Sequence, residues 1–212
     1  VDKKLEYIDA VRKPFKSLNR NYRNYNWEPG SQRGPLGSHD GYADAIESGI
    51  NLLNRENNPE LSRWIDSEIK VMFGMQKPDG IIEGWHGDGN FARTALMYGL
   101  WKTQGARLSP WNSSLRLGAE PSQKGTYFVI TTQNDWDGKL IFDPIRHKTI
   151  LNLPIDYPRI NQFPEWFTID PTADYQIKAS DQNLSASYSG AKLLEGIRLK
   201  LFAGQRLIIA IE

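Results

Sequence analysis

The chain has 212 residues, with 26 Lys and Arg set against 25 Asp and Glu, and no cysteine. Charges of both signs are interspersed at a net +1, so there is no basic stripe to hold a phosphate backbone and nucleic acid is not an expected partner. Without cysteine there are no disulfides, no thiolate nucleophile and no thiolate-ligated zinc. The length suits one large domain or two small ones.

The first half carries helical periodicity. Leu5, Ile8, Val11, Phe15 and Leu18 recur at three- and four-residue spacing, which places them on one helix face. Tyr42, Ala45, Ile46, Ile50 and Leu53 do the same between Ser38 and Arg55. Asn58 followed by Pro59 reads as an N-cap with proline at the first helical position. Leu61, Trp64, Ile65, Ile69, Met72 and Phe73 then trace an apolar stripe that Lys77-Pro78-Asp79-Gly80 ends. A fourth helix opens near Asp88 to Asn90, runs through Leu96, Tyr98 and Trp101, and meets Gly105 as its C-cap.

Three connections among these helices are chemically loaded. Tyr22 to Gly37 is rich in Asn, Arg, Tyr, Gly and Pro around Trp27, and long connections of this kind carry function or are disordered. Gly37-Ser38-His39-Asp40-Gly41-Tyr42 and Glu83-Gly84-Trp85-His86-Gly87-Asp88-Gly89-Asn90 each place histidine, carboxylate, aromatic and glycine where a helix begins. Two of the three histidines stand in them.

After Pro110 the pattern turns to β. Tyr127 to Thr132 is a β-branched and aromatic run, Asp137-Gly138 is a hairpin-type turn signal, and Lys139 to Phe142 continues as a strand. Thr149 to Leu153, Trp166 to Ile169, Tyr175 to Lys178, Leu184 to Tyr188 and Arg206 to Ile211 are expected as further short strands. The prolines between Leu153 and Trp166 mark an extended crossing segment. The expected organisation is a helical region over 1–110 and an antiparallel β-sandwich over 111–212, an α+β chain.

Glu83 and Asp88 are candidates for the acid and base of glycoside cleavage, where two carboxylates flank the bond at about 5 Å or about 6.5–9.5 Å according to stereochemistry. Asp40 is an alternative. The plainer reading of Asp88 is a helix cap. His39 and His86 handle protons near neutral pH, or else bond the loop backbone. Trp27 and Trp85, in polar loops, suit stacking on sugar rings, as does Tyr42, whereas Trp64 and Trp101 lie on apolar stripes and read as core. In an elimination on a uronate, Tyr42, His39 or His86 takes the C5 proton while Asn90 and Arg93 neutralise the carboxylate. His147 reads as serving a β-turn. No His-x-x-x-His or EF-hand spacing supports a metal, and no dinucleotide, Walker or Gly-x-Ser-x-Gly pattern is present, so neither metal nor cofactor is expected.

Helical hairpins with acidic, aromatic and histidine residues at their junctions, followed by a β module, resemble the α/α-toroid carbohydrate-active enzymes, among them unsaturated-glucuronyl hydrolases and heparinase- or alginate-type lyases. The residues that carry the resemblance are 37–42, 77–80 and 83–94. It implies a glycoside hydrolase acting on a polysaccharide or oligosaccharide, alternatively a polysaccharide lyase, alternatively a non-catalytic glycan-binding module. It further implies a secreted or periplasmic location, and further N-terminal hairpins to complete the toroid. Position 1 is valine, which reads as a processed chain or a fragment. No apolar run approaches the roughly 20 residues needed to cross a bilayer.

Overall fold

A computed structural model of the chain describes residues 5–21, 39–82, 89–156 and 163–212, and gives Leu5, Ile8, 18–21, His39, Asp40 and Gln182 through their backbone alone. Two compact units make up the chain, Val1–Tyr98 and Gly99–Glu212. Among the described residues no helix is long and apolar enough to cross a membrane.

The first unit is helical: α1 (Leu5–Asn21), α2 (His39–Leu53), α3 (Pro59–Gly74) and the start of α4 (Gly89–Thr103). Asn58 caps α3, its Oδ1 accepting the Leu61 N–H at 3.1 Å, and Pro59 occupies a first-turn position where its missing N–H is no loss. The apolar stripe of α3 is buried through Leu61, Trp64, Ile65, Ile69 and Met72, while Phe73 turns outward. Against it α2 buries Tyr42, Ala43, Ile46 and Ile50. Helices α1 and α3 both reach α2 at Gly49, where an added Cβ would stand 3.0 Å from Ile65, 3.2 Å from Leu61 and 3.4 Å from Phe15.

Two expected faces are rotated. In α1 Phe15 is buried but Val11 is exposed, and in α4 the buried residues are Phe91, Thr94 and Met97 while Leu96 is 58% exposed. A face that includes Thr94 leaves little apolar contrast along α4 for periodicity to detect. The helix ends as expected at Gly105, whose φ of 77° places it in the left-handed region and whose N–H reaches the Leu100 carbonyl at 2.8 Å.

The second unit continues with β1 (Arg107–Ser109), β2 (Leu115–Ser122), β3 (Gly125–Thr132), β4 (Trp136–Ile141), β5 (Asp143–Pro144), α5 (Arg146–Thr149), β6 (Thr168–Ile169), β7 (Asp174–Ala179), β8 (Ala186–Ser189), α6 (Gly190–Leu194), β9 (Ile197–Leu201) and β10 (Arg206–Ile211). Its antiparallel sheets have the orders β1-β4-β9 and β2-β3-β10-β7-β8, and β5 and β6 form a short parallel pair. In β3 Phe128 and Ile130 point inward, and in β9 Ile197, Leu199 and Leu201 alternate with Arg198 and Lys200. Both antiparallel sheets feed one apolar cluster, with Leu108, Leu140 and Leu199 from the first and Leu115, Phe128, Ile177 and Ile209 from the second. Phe128, Phe142 and Phe167 meet edge-on in it, with centroids 5.4 to 6.0 Å apart.

The β half corrects the sequence reading in three places. Asp137-Gly138 is no hairpin turn: both residues lie inside β4, which pairs with β1 and β9 and not with β3. Glycine is needed there because a Cβ at 138 would fall 2.3 Å from the Trp136 indole and 2.5 Å from the Ser109 carbonyl oxygen. Thr149–Leu153 is not a strand, since residues 146–149 close one helical turn and the Leu153 N–H turns back to the His147 carbonyl. Strands β1, β2 and β9 went unexpected. The helices followed by antiparallel sheets make the chain α+β.

Candidate functional site

Five of the expected site residues have described positions or backbones in the first turns of α2 and α4. His39 and Asp40 form the first turn of α2, described through backbone alone, and Tyr42 follows one turn on, its side chain 2% exposed in the helical core. Asn90 and Arg93 stand in the first turns of α4, where the Asn90 carbonyl oxygen lies 2.9 Å from the Thr94 hydroxyl oxygen. Trp27, Glu83, Trp85, His86 and Asp88 lie outside the described residues.

Helices α2 and α4 are joined by a polar clamp. Arg93 donates from Nε to Glu47 Oε2 at 2.7 Å and lies 3.4 Å from Asp44 Oδ1 through Nη2. Thr94, fully buried, donates its hydroxyl to the other oxygen of Glu47 at 2.7 Å. Both oxygens of a nearly buried carboxylate on α2 are thereby taken by neighbours on α4, which fixes how the two helices face each other. At a rise of about 1.5 Å per residue, Glu47 lies about 12 Å along the axis from His39, and Arg93 about 6 Å from Gly89. Farther along α4, the Tyr98 hydroxyl donates to Asp66 Oδ1 at 2.9 Å. Burial, and then the Asp66 charge, push the Tyr98 phenol above its usual range, which keeps it a proton donor.

Glu47 and Thr94 were not among the candidates from sequence, nor was Glu68, which is fully buried on α3. Their signal was present. Glu47 follows Ile46 on a face that also carries Ala43 and Ile50, and Glu68 sits between Ile65 and Met72 in the α3 stripe. A carboxylate in line with core positions is a buried polar group that requires partners.

No protein-family model matches the chain, and no curated protein or solved structure matches it either. Its chemistry rests on its own residues.

In the second unit, the group able to hold a cation among the described residues is His147, Asp156 and Glu165, each offering one ligand atom within 4.8 Å of the others. His147 belongs to the turn of α5, not to a β-turn, and Glu165 holds it there by accepting its backbone N–H at 2.6 Å and facing its Nδ1 at 2.9 Å. Beside them burial raises the Asp143 carboxyl above the usual range, Arg146 opposes that rise, and the negative charge of Glu165 adds to it.

Proposed function

We propose that this chain is the catalytic and β-sandwich portion of an α/α-toroid carbohydrate-active enzyme that hydrolyses a glycosidic bond in a polysaccharide or oligosaccharide. The observation that carries the reading is the Arg93–Glu47–Thr94 clamp, which ties α2 to α4. The first turn of α2 carries His39-Asp40, and the sequence leading to α4 carries Glu83, Trp85, His86 and Asp88. Glycoside cleavage needs that combination: one carboxylic acid to protonate the leaving oxygen and a carboxylate on the other side of the sugar ring. In this reading Glu83 and Asp88, with Asp40 as the alternative, supply the pair, and Trp85 and Trp27 supply stacking surface.

The arrangement of Arg93 favours hydrolysis over β-elimination. A lyase needs a cation turned toward the uronate carboxylate, whereas Arg93 has Nε committed to Glu47 and Nη2 facing Asp44, so its charge is already answered by two carboxylates.

The test is a panel of neutral and acidic polysaccharides incubated with the full chain, with wild type compared to Glu83→Ala and His86→Ala. New reducing ends that vanish in Glu83→Ala support the proposal. Unsaturated products would replace hydrolysis by elimination, and glycan retention without cleavage would reduce the chain to a binding module.

A further inference from the structure

We infer that His147, Asp156 and Glu165 form a binding site for one divalent transition-metal cation of the zinc class, built into the β unit and separate from the glycan chemistry proposed above. The donor set is mixed, one imidazole and two carboxylates whose ligand atoms lie within 4.8 Å of each other. Imidazole selects for first-row transition metals over magnesium and calcium, and carboxylates complete the site without thiolates.

The site is half-enclosed. The side chains of His147 and Glu165 are only 18% and 9% exposed, unlike the solvated acidic clusters common on surfaces. His147 Nδ1 and Glu165 Oε2 are 2.9 Å apart. Tetrahedral ligands about 2.1 Å from a cation stand about 3.4 Å apart, so binding widens this contact by about 0.5 Å. Binding exchanges the proton shared by these atoms for the metal, and the imidazole carries its proton on Nε2 instead. The Glu165 Oε1 bond to the His147 backbone is untouched by that exchange, so the turn of α5 presents the ring as a fixed ligand.

Asp143 stands beside the site, where the Glu165 charge is felt, and Arg146 directs its three guanidinium nitrogens to Asp143 Oδ2 and to the carbonyls of Phe163 and Pro164, each at 3.3 Å. A cation shared by these side chains adds to the stability of the folded unit. Three protein ligands leave a coordination position for water, as in sites that keep an exchangeable ligand.

The full chain, stripped with a chelator, is titrated with Zn²⁺ against a chromophoric competitor while its three histidine ring signals are followed by NMR. The expected result is one equivalent bound, with the His147 ring signals shifted and those of His39 and His86 unmoved, and a higher melting temperature. Asp156→Asn, which leaves the Glu165–His147 bonds in place, is expected to weaken binding about 10-fold or more. Binding reported by His39 or His86, no stoichiometric binding, or full affinity in a folded Asp156→Asn variant would each overturn the inference.

Discussion

Removing the guanidinium at position 93 isolates the clamp between α2 and α4. In Arg93→Ala, Glu47 loses its 2.7 Å partner while its own side chain is 9% exposed. Leaving a buried charge unpaired costs about 3–5 kcal/mol. Two features lower that figure: the Thr94 hydroxyl still donates to Glu47, and the Arg93 side chain is 36% exposed, which lets water screen the pair. The expected loss is about 1.5–3 kcal/mol. Glu47→Gln keeps the shape and a hydrogen-bond acceptor for Thr94, and leaves Arg93 facing Asp44, so about 1–2 kcal/mol is expected. Because both changes break the same bond, the double variant should be less damaged than the two losses added, with a coupling energy of about 1–2 kcal/mol in a cycle measured by urea unfolding. Coupling below about 0.3 kcal/mol, the scatter of independent sites, would refute the clamp as the element that fixes α2 against α4.

Gly138→Ala should destabilise the β unit by about 2–3 kcal/mol, since the new methyl meets both the Trp136 ring and the β1 backbone; an unchanged urea midpoint would contradict this. Tyr98→Phe tests the raised phenol of Tyr98. Because the folded protein holds that proton more tightly than the unfolded chain, the contribution is complete below the ordinary phenol value of 10.0 and is lost as pH climbs toward the folded value. Wild type should therefore lose stability relative to Tyr98→Phe above that pH, and one late-ionising tyrosine should disappear from its ultraviolet titration. Parallel pH profiles would show that the phenol is not perturbed.

The legible parts of the fold were those with strong local signals. The cap at Asn58, the α3 stripe, the stop at Gly105 and the β-branched strands β3 and β10 all stand where the residues point. The failures have physical causes. β2 reads Leu-Arg-Leu-Gly-Ala-Glu-Pro-Ser, poor in β-formers, and is held as a strand by its full register with β3, from Leu115↔Thr132 to Ser122↔Gly125. Asp137-Gly138 imitates a hairpin turn because glycine serves equally where a ring and a neighbouring backbone leave no room for a Cβ. β9 alternates cleanly, Ile197-Arg198-Leu199-Lys200-Leu201, and could have been read from the sequence. The candidate site was legible as residue types at helix entries, whereas the clamp that ties α2 to α4 depends on Glu47 meeting Arg93 46 positions away, which no local pattern encodes. His147 joins Glu165 across 18 positions for the same reason.

Product analysis on a glycan panel tests the central claim most directly, with Glu83→Gln and Asp88→Asn read beside wild type so that each carboxylate is replaced by its isostere. The account predicts new reducing ends without the ultraviolet absorption of an unsaturated uronate, and loss of product in at least one of the two variants while both remain folded. Unsaturated product, or cleavage undiminished in both variants, would contradict it.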